Sequence, residues 1–98
     1  MPAYVIARIT VTDWSKYAEY TKVTPGIIAQ FGGRFLVRGG ELATLEGPEE
    51  SGRVVLIEFP AFEAATAFYQ SQAYQTAKGL RAGAATGQFI VAEGVVPA

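Results

Sequence analysis

Arginine, glutamate and tyrosine are the side chains on which any chemistry of this chain must depend, because it contains no histidine and no cysteine. Without cysteine there is no disulfide, no thiolate nucleophile and no cysteine-ligated zinc or iron–sulfur site. Without histidine the usual imidazole base, the serine–histidine–aspartate arrangement and histidine-ligated haem are excluded. We therefore expect no metal and no cofactor, and proton transfer is left to Glu, Asp, Tyr or Lys.

Five charged residues share one parity in segments that the alternation predicts to be strands: Arg8, Arg34, Arg38, Glu58 and Glu93. Three arginines against two glutamates leave a positive excess that could hold a carboxylate or another small anion. In this interpretation Arg38 and Glu58 are ligand-binding candidates, and Glu58 is the candidate catalytic proton acceptor opposite an oxyanion held by Arg38. In the alternative, all five are structural ion pairs that fix the register of a dimer, with Arg8, Arg34 and Glu93 as its dimer-face charges.

A second group of candidates lies in the predicted helices near the C-terminus. Tyr74 and Arg81 are seven residues apart, on one face of the last helical segment, and Tyr69 lies in the segment before it. Phenol hydroxyls and a guanidinium around an apolar lining would orient an aromatic or acidic metabolite. The alternative is that the tyrosines are core residues with hydrated tips and that Arg81 complements a helix dipole.

The composition is apolar for so small a chain: of 98 residues, 50% are hydrophobic and 17% are charged, with a net charge of −1. There is no cluster of lysine or arginine, so we expect neither nucleic acid nor an anionic membrane surface as a partner. No basic segment followed by an apolar stretch begins the chain, and no apolar run approaches 18 residues, so we expect a cytoplasmic protein. The length predicts one domain over residues 1–98.

The hydrophobic periodicity predicts the order β-α-β-β-α-β. Strands are predicted at 3–12, 34–38, 53–59 and 88–94. Asp13 is predicted to cap the first helix, in which Pro25 predicts either a kink or a second helix restarting with Thr24 as its cap. A second helical region is predicted from 62 to about 81, with a new cap at Ser71.

The alternation within the strands predicts two unlike sheet faces. One parity is uncharged and is predicted to pack under the helices: Val5, Ala7, Ile9, Val11, Phe35, Val37, Val55, Ile57, Phe59, Ile90 and Ala92. The other carries the five charges and seven large apolar side chains: Tyr4, Ile6, Leu36, Val54, Leu56, Phe89 and Val91. Leaving these seven in water would forgo on the order of 10 to 20 kcal/mol. We therefore predict a homodimer in which this face meets its own copy, burying on the order of 800 Å² per subunit.

Several separated blocks of the sequence carry a family resemblance. They are FGGRFLVRGG at 31–40, LEG at 45–47, RVVLIEFP at 53–60, the pattern A-FY-S--Y from Ala67 to Tyr74, RAGAATG at 81–87 and AEG at 92–94. In this order they resemble the domain of unknown function thirteen-thirty family, within the dimeric α/β-barrel superfamily of ferredoxin-like folds. The resemblance implies an α+β, ferredoxin-like fold: an antiparallel sheet with helices on one face that pairs into a dimeric α/β barrel.

The resemblance implies no established activity. We therefore predict a small homodimeric protein that binds a small molecule, acidic or aromatic, or serves as an accessory protein. The alternative is a cofactor-independent enzyme, of monooxygenase or isomerase type, acting on a small oxygenated or acidic metabolite, because other members of the superfamily perform such chemistry.

Overall fold

A computed structural model describes residues 1–96 of the chain, and its helices and strands follow the predicted order. They are β1 (Ala3–Val11), α1 (Trp14–Gln30), β2 (Arg34–Arg38), β3 (Arg53–Phe59), α2 (Phe62–Gln70), α3 (Gln72–Gly79) and β4 (Ala85–Glu93). The second helical region is thus two short helices. Between β2 and β3 the chain runs through residues 39–52 with no regular element.

The strands form one antiparallel sheet in the order β2-β3-β1-β4. The helices pack on one face, where β1 contributes Ala3, Val5, Ala7 and Ile9, all at most 3% exposed. The Cα atoms span 42 × 37 × 16 Å, and the short dimension leaves room for two layers only. This arrangement confirms the predicted α+β, ferredoxin-like fold.

Both predicted helix caps are present. The Asp13 side chain accepts a hydrogen bond from the backbone N–H of Lys16 at 3.1 Å, and the Ser71 hydroxyl accepts one from the N–H of Tyr74, also at 3.1 Å. These bonds satisfy N–H groups that the first turn of a helix leaves free. The Ser71 cap fixes where α3 begins, and with it the position of Tyr74.

The first helix continues through Pro25 as a single element, so the predicted restart at Thr24 does not occur. A proline inside a helix costs about 3 kcal/mol. Tyr20 and Ile28, one on each side of Pro25, are both buried in the same core. Packing of both halves against one sheet face therefore outweighs the local cost.

The register of β4 reverses the predicted faces of this strand. Phe89 lies opposite Ala7, and Val91 lies opposite Val5. Both therefore share the helix-covered face, and Ile90, between them, lies on the other face. The prediction was wrong because the run from Phe89 onward is apolar on both parities, so that only strand pairing defines its faces.

The same register corrects the placement of Glu93. This residue lies opposite Ala3 and Ala92 lies opposite Tyr4. Glu93 is therefore on the parity of the helix-covered side, at the end of its strand, and its prediction as a dimer-face charge is wrong. Ala92, which was predicted to lie under the helices, is on the uncovered face instead.

A bulge in β2 moves Arg38 to the helix side of the sheet. Phe35 lies opposite Ile57, but Val37 lies opposite Leu56, so the register shifts by one residue between them. Arg38 then lies opposite Val55, a buried core residue. A bulge inserts one extra residue into a strand, so every later residue lies on the face opposite to the one that strict alternation predicts. The predicted placement of Arg38 beside Glu58 is therefore wrong, and Val37 is likewise on the face opposite to the predicted one.

After these corrections, one sheet face remains without a covering layer within residues 1–96. This open face comprises Tyr4, Ile6, Arg8, Arg34, Val37, Val54, Leu56, Glu58, Ile90 and Ala92. Its apolar character is preserved although individual members changed. None of the helices within the described 96 residues has the length and hydropathy needed to cross a membrane.

Candidate functional site

A narrow cleft lies between α1 and the sheet and extends to the start of α3. We call it the α1 cleft; its cavity has a volume of about 30 Å³. It is lined by Ile9, Tyr17, Tyr20, Thr21, Thr24, Ile28, Phe35, Arg38, Arg53, Val55, Ile57, Phe68, Tyr74 and Phe89. A cavity of this size holds one or two water molecules or a group as small as a carboxylate.

Two of the lining residues, Tyr20 and Tyr74, bring their hydroxyl groups together, and the buried Arg81, which does not itself line the α1 cleft, contacts both of them. The hydroxyl oxygens of Tyr20 and Tyr74 are 2.7 Å apart and share a hydrogen bond. Arg81 donates from Nη2 to the Tyr74 hydroxyl at 3.4 Å, and its Cζ lies 5.3 Å from the centroid of the Tyr20 ring. Arg81 is 7% exposed, and its Nε has no hydrogen-bond partner within residues 1–96.

The buried tyrosines are held in their neutral form. Burial is the main cause that raises the pKa of Tyr20 far above its ordinary value, and the neighbouring Tyr74 adds to the increase. Burial also raises the pKa of Tyr17, although the guanidinium of Arg53 offsets part of that increase. At neutral pH both side chains are therefore hydrogen-bonding phenols rather than bases.

Arg38 is anchored to a carbonyl that the proline of α1 leaves free. Pro25 has no N–H, so the carbonyl of Thr21, four residues earlier, receives no helical hydrogen bond from it. Arg38 donates from Nη2 to that carbonyl oxygen at 3.3 Å, and its Cζ lies 4.4 Å from the centroid of the Phe35 ring. The proline and the β2 bulge thus act together to place one guanidinium at the rim of the cleft.

Arg53 enters the cleft from the first position of β3. Its Cζ lies 5.9 Å from the centroid of the Tyr17 ring, and its Nε is buried without a hydrogen-bond partner in the described chain. Its guanidinium passes over Gly39, which has a φ of 72°. A Cβ at position 39 would overlap this guanidinium and would strain the backbone, so glycine is required there.

The α1 cleft contains positive charge without matching negative charge. Within residues 1–96, the ion pairs formed by arginine are those of Arg8 and Arg34, both on the open face. Arg38, Arg53 and Arg81 have no carboxylate partner there, and no acidic residue lines the cleft. Arg81 is buried and Arg53 is half-buried, whereas Arg38 is exposed. A buried or half-buried cation without a counter-ion is unfavourable unless water or an anion meets it. The arrangement is therefore suited to a small anion.

Comparison with known proteins assigns the family. The family described as "Domain of unknown function (DUF1330)" matches residues 2–95. The chain belongs to this family. No curated protein matches it.

Solved structures share the fold of this DUF1330 domain at low sequence identity. A protein of unknown function from Rhodopseudomonas palustris is 20% identical with a TM-score of 0.76, covering 98% of this chain and 84% of its own. A dimeric ferredoxin-like protein of unknown function from Jannaschia sp. is 13% identical, with a TM-score of 0.69 and coverage of 95% and 99%. SnoaB, a cofactor-independent oxygenase from Streptomyces nogalater, is 13% identical, with a TM-score of 0.58 and coverage of 98% and 95%. At these identities the likeness establishes the fold alone.

The candidates predicted on the strands of this DUF1330 domain do not form one site. Glu58 is on the open face, where it accepts hydrogen bonds from Arg34 Nε at 2.8 Å and from the Tyr4 hydroxyl at 3.4 Å. Arg38 is on the opposite face of the sheet, in the α1 cleft. The predicted catalytic pair of Glu58 and Arg38 is therefore wrong. Arg8 is paired instead with Glu50, at 2.5 Å.

The structure brings together the candidate residues of the second helical region, as their spacing in the sequence predicted. Tyr74 and Arg81 are hydrogen-bonded, although Arg81 lies just beyond the end of α3. Tyr69 stacks on Tyr74, with ring centroids 4.9 Å apart, and faces a separate pocket beside α2.

The sequence interpretation missed Tyr17, Tyr20 and Arg53. Arg53 had a usable signal, because it shares its parity with Val55 and Ile57 and is thus a charge on an apolar strand face. The two tyrosines lie three residues apart on the buried face of α1, but nothing local marks them as more than core residues.

Proposed function

We propose that this domain binds a small organic anion, with its carboxylate or equivalent head group in the α1 cleft. The observation that supports this most directly is the pair of guanidiniums that line the cleft, those of Arg38 and Arg53, which lack an acidic partner within residues 1–96. The buried guanidinium of Arg81, next to the lining residue Tyr74, also lacks one. Arginine offers a planar pair of donors that matches a carboxylate. An anion would supply the counter-charge that the surrounding residues do not.

The tyrosines support binding rather than proton transfer. Because their pKa values are raised, Tyr17 and Tyr20 keep their protons at neutral pH and can donate hydrogen bonds to an anion. A general base works best with a pKa near the operating pH. The lining of the cleft offers no carboxylate or imidazole for that role, so we favour ligand binding over the alternative of a cofactor-independent enzyme.

Titration with acetate, followed by NMR, tests the proposal with a probe that represents the head group alone. We expect shifts at backbone amides of Thr21, Arg38 and Arg53, with saturation in the millimolar range typical of so small a ligand. The variants R38Q and R53Q should each weaken binding by about fivefold or more, since a hydrogen bond to a charged group is lost.

The matched control is K22Q, which removes the same charge from the exposed side of α1. Its acetate affinity should equal that of the wild type. Shifts scattered over the surface, or equal losses in K22Q and R53Q, would show that acetate responds to overall charge and would refute the cleft as its site.

We also propose that the protein is a homodimer through the open face. Ile90 is 47% exposed and Leu36, in the β2 bulge, is 42% exposed in the single chain. A second copy can cover these residues together with the rest of the open face by a two-fold contact of about 800 Å² per subunit. Proteins of the same fold that are described as dimeric support a dimer, and the choice of the open face rests on its exposed apolar residues.

Light scattering after size exclusion tests the dimer at micromolar concentration. The wild type should elute with twice the chain mass, and I90R should elute as a monomer because a charge would enter the contact. V23R is the control, since Val23 on α1 is 43% exposed and is not part of the open face. A monomeric wild type, or an I90R variant that stays dimeric, would disprove this contact.

We propose the cytoplasm as the location, supported by a chain without cysteine, for which an oxidising compartment offers no stabilisation. Fractionation of cells producing the full-length natural protein tests this. Recovery in a secreted or membrane fraction would contradict it.

A further inference from the structure

A second cavity lies between α2 and the edge strand β4, where it is bordered by residues of the helix-covered face and by Ile90 of the open face. We call it the α2 pocket; its volume is about 150 Å³. It is lined by Val5, Thr66, Tyr69, Gln70, Phe89, Ile90 and Val91. The walls are apolar, with the ring of Tyr69 as the largest surface and only Thr66 and Gln70 as further polar side chains. No role described above uses this space.

Phe89 lines both the α2 pocket and the α1 cleft. The Cζ of Arg81 lies 5.0 Å from the centroid of this ring, and the centroid of the Tyr69 ring lies 6.0 Å from it. Atoms in van der Waals contact with opposite sides of one ring are roughly 7 to 8 Å apart, which is two contact distances. The two cavities are therefore within the span of one small molecule.

The two cavities differ in size and polarity in a complementary way. The α1 cleft, at about 30 Å³, accommodates a head group and little else. The α2 pocket, at about 150 Å³, has the volume of apolar cavities that bind benzene in other proteins. It presents aromatic and aliphatic surface and no charged side chain, which favours an uncharged ring.

We propose that the natural ligand is an aryl-substituted short-chain acid: its carboxylate occupies the α1 cleft, and its aromatic ring occupies the α2 pocket beside Tyr69. The linker passes the edge of Phe89. Three to four methylene groups place five or six bonds between a carboxylate oxygen and the first ring carbon, which is roughly 6.5 to 8 Å in an extended chain at about 1.3 Å per bond. This inference rests on the proposed anion site and adds the ligand class to it.

A series of acids on the wild-type protein tests the inference without any substitution. The series is acetate, benzoate, phenylacetate, 3-phenylpropanoate, 4-phenylbutanoate and 5-phenylpentanoate, measured by calorimetry or NMR. We expect the tightest binding at 4-phenylbutanoate or 5-phenylpentanoate, at least about tenfold tighter than acetate, because burying a phenyl ring adds favourable transfer free energy. The neutral analogue 4-phenylbutan-1-ol should lose most of this affinity.

A pair of matched variants locates the ring. T66F fills the α2 pocket from its α2 wall, whereas T76F adds the same ring to an exposed position of α3 outside the pocket. T66F should bring the affinity for 4-phenylbutanoate down to that for acetate while leaving acetate binding unchanged. T76F should behave as the wild type in both titrations.

The outcomes separate the two proposals. If acetate binds in the cleft and depends on Arg53, but the longer acids bind no tighter or T66F has no effect, the two-cavity ligand is refuted and the anion site stands. If R53Q leaves acetate and the longer acids unaffected, the anion site itself is refuted, and the two-cavity ligand with it.

Discussion

The hydroxyl of Tyr20 shows how burial changes the chemistry of a single side chain. Tyr20 is 6% exposed and is hydrogen-bonded to Tyr74 at 2.7 Å. Ionisation would place a phenolate in an apolar environment, so the neutral form is strongly favoured. The residue is therefore fixed as a hydrogen-bonding group in the α1 cleft at any pH at which the fold persists.

Alkaline titration should show that the buried tyrosines resist ionisation. The folded pKa values of Tyr17 and Tyr20 are above the ordinary value of 10.0, so their contribution to stability is complete below pH 10 and is lost as the pH rises above it. We expect the tyrosinate absorbance at 295 nm to rise in two stages, with Tyr17 and Tyr20 ionising only as the protein unfolds. The variant Y20F should reduce the late stage. A single stage centred near pH 10 in the folded protein would contradict the prediction.

At the scale of elements, α1 contains a proline that both weakens the helix and positions a residue of the proposed anion site. Pro25 weakens the helix but frees the carbonyl of Thr21, which Arg38 uses as its anchor. The β2 bulge then directs Arg38 to the same place. The proline in α1 and the bulge in β2 thus together position one guanidinium, that of Arg38.

Replacing Pro25 by alanine separates its effect on the stability of α1 from its effect on the position of Arg38. In P25A the helix gains an N–H donor, and we expect the free energy of unfolding in urea to rise by about 1 to 2 kcal/mol. The Thr21 carbonyl is then shared with the helix, so Arg38 is held less firmly and acetate affinity should fall severalfold. G26A is the control: it improves helix propensity where an added Cβ meets no atom within 4 Å, and it should stabilise without changing acetate binding. A loss of stability in P25A, or unchanged acetate binding, would refute this account.

The long β2–β3 connection is held by one carboxylate. Glu50 accepts hydrogen bonds from the N–H of Gly52 at 3.0 Å and from Arg8 Nε. The bond from Gly52 contributes most to lowering the pKa of Glu50, and Arg8 contributes further. Through the pairing of Glu50 with Arg8, the loop is therefore attached to the sheet.

Removing this charge should loosen the loop. We expect E50Q to raise hydrogen exchange at Gly52 and its neighbours severalfold, while E49Q, the adjacent exposed glutamate, leaves exchange unchanged. Because the folded pKa of Glu50 is lowered, the attachment is complete above its ordinary pKa and is lost as the pH falls through the lowered value. Equal exchange in the two variants would disprove the role of Glu50.

At the scale of the molecule, the open face determines how stable the fold can be. The single chain leaves one side of a thin two-layer structure uncovered, and its apolar side chains gain free energy only when another surface meets them. For a homodimer, folding and association are linked by mass action.

The melting temperature of the wild type should therefore rise with protein concentration. We expect an increase of a few degrees between about 5 and 500 μM, because each tenfold change in concentration alters the dimer equilibrium by about 1.4 kcal/mol. Scanning calorimetry at several concentrations measures this, and monomeric I90R should melt at one temperature throughout. A wild-type melting temperature independent of concentration would argue against a dimer coupled to folding.

The sequence by itself determined the order of elements, both helix caps, the uncharged face of β1 and the need to cover an apolar sheet face. These features follow from local periodicity and from residue types, such as Asp13 and Ser71, whose effects reach only a few residues along the chain. The spacing of Tyr74 and Arg81 likewise predicted that they share one side of the last helical segment, although α3 ends at Gly79, two residues before Arg81.

Only the tertiary structure decided which side chains form the α1 cleft. The faces of β4 depend on its pairing with β1, since residues 89–92 are apolar on both parities. The position of Arg38 depends on a one-residue shift between β2 and β3. The alternation of apolar and polar residues along one strand does not reveal such a shift. The arginines and tyrosines that could do chemistry were visible in the sequence, but long-range pairing determined which of them meet. It placed Arg38 and Arg53 in one cleft with no acidic partner within residues 1–96.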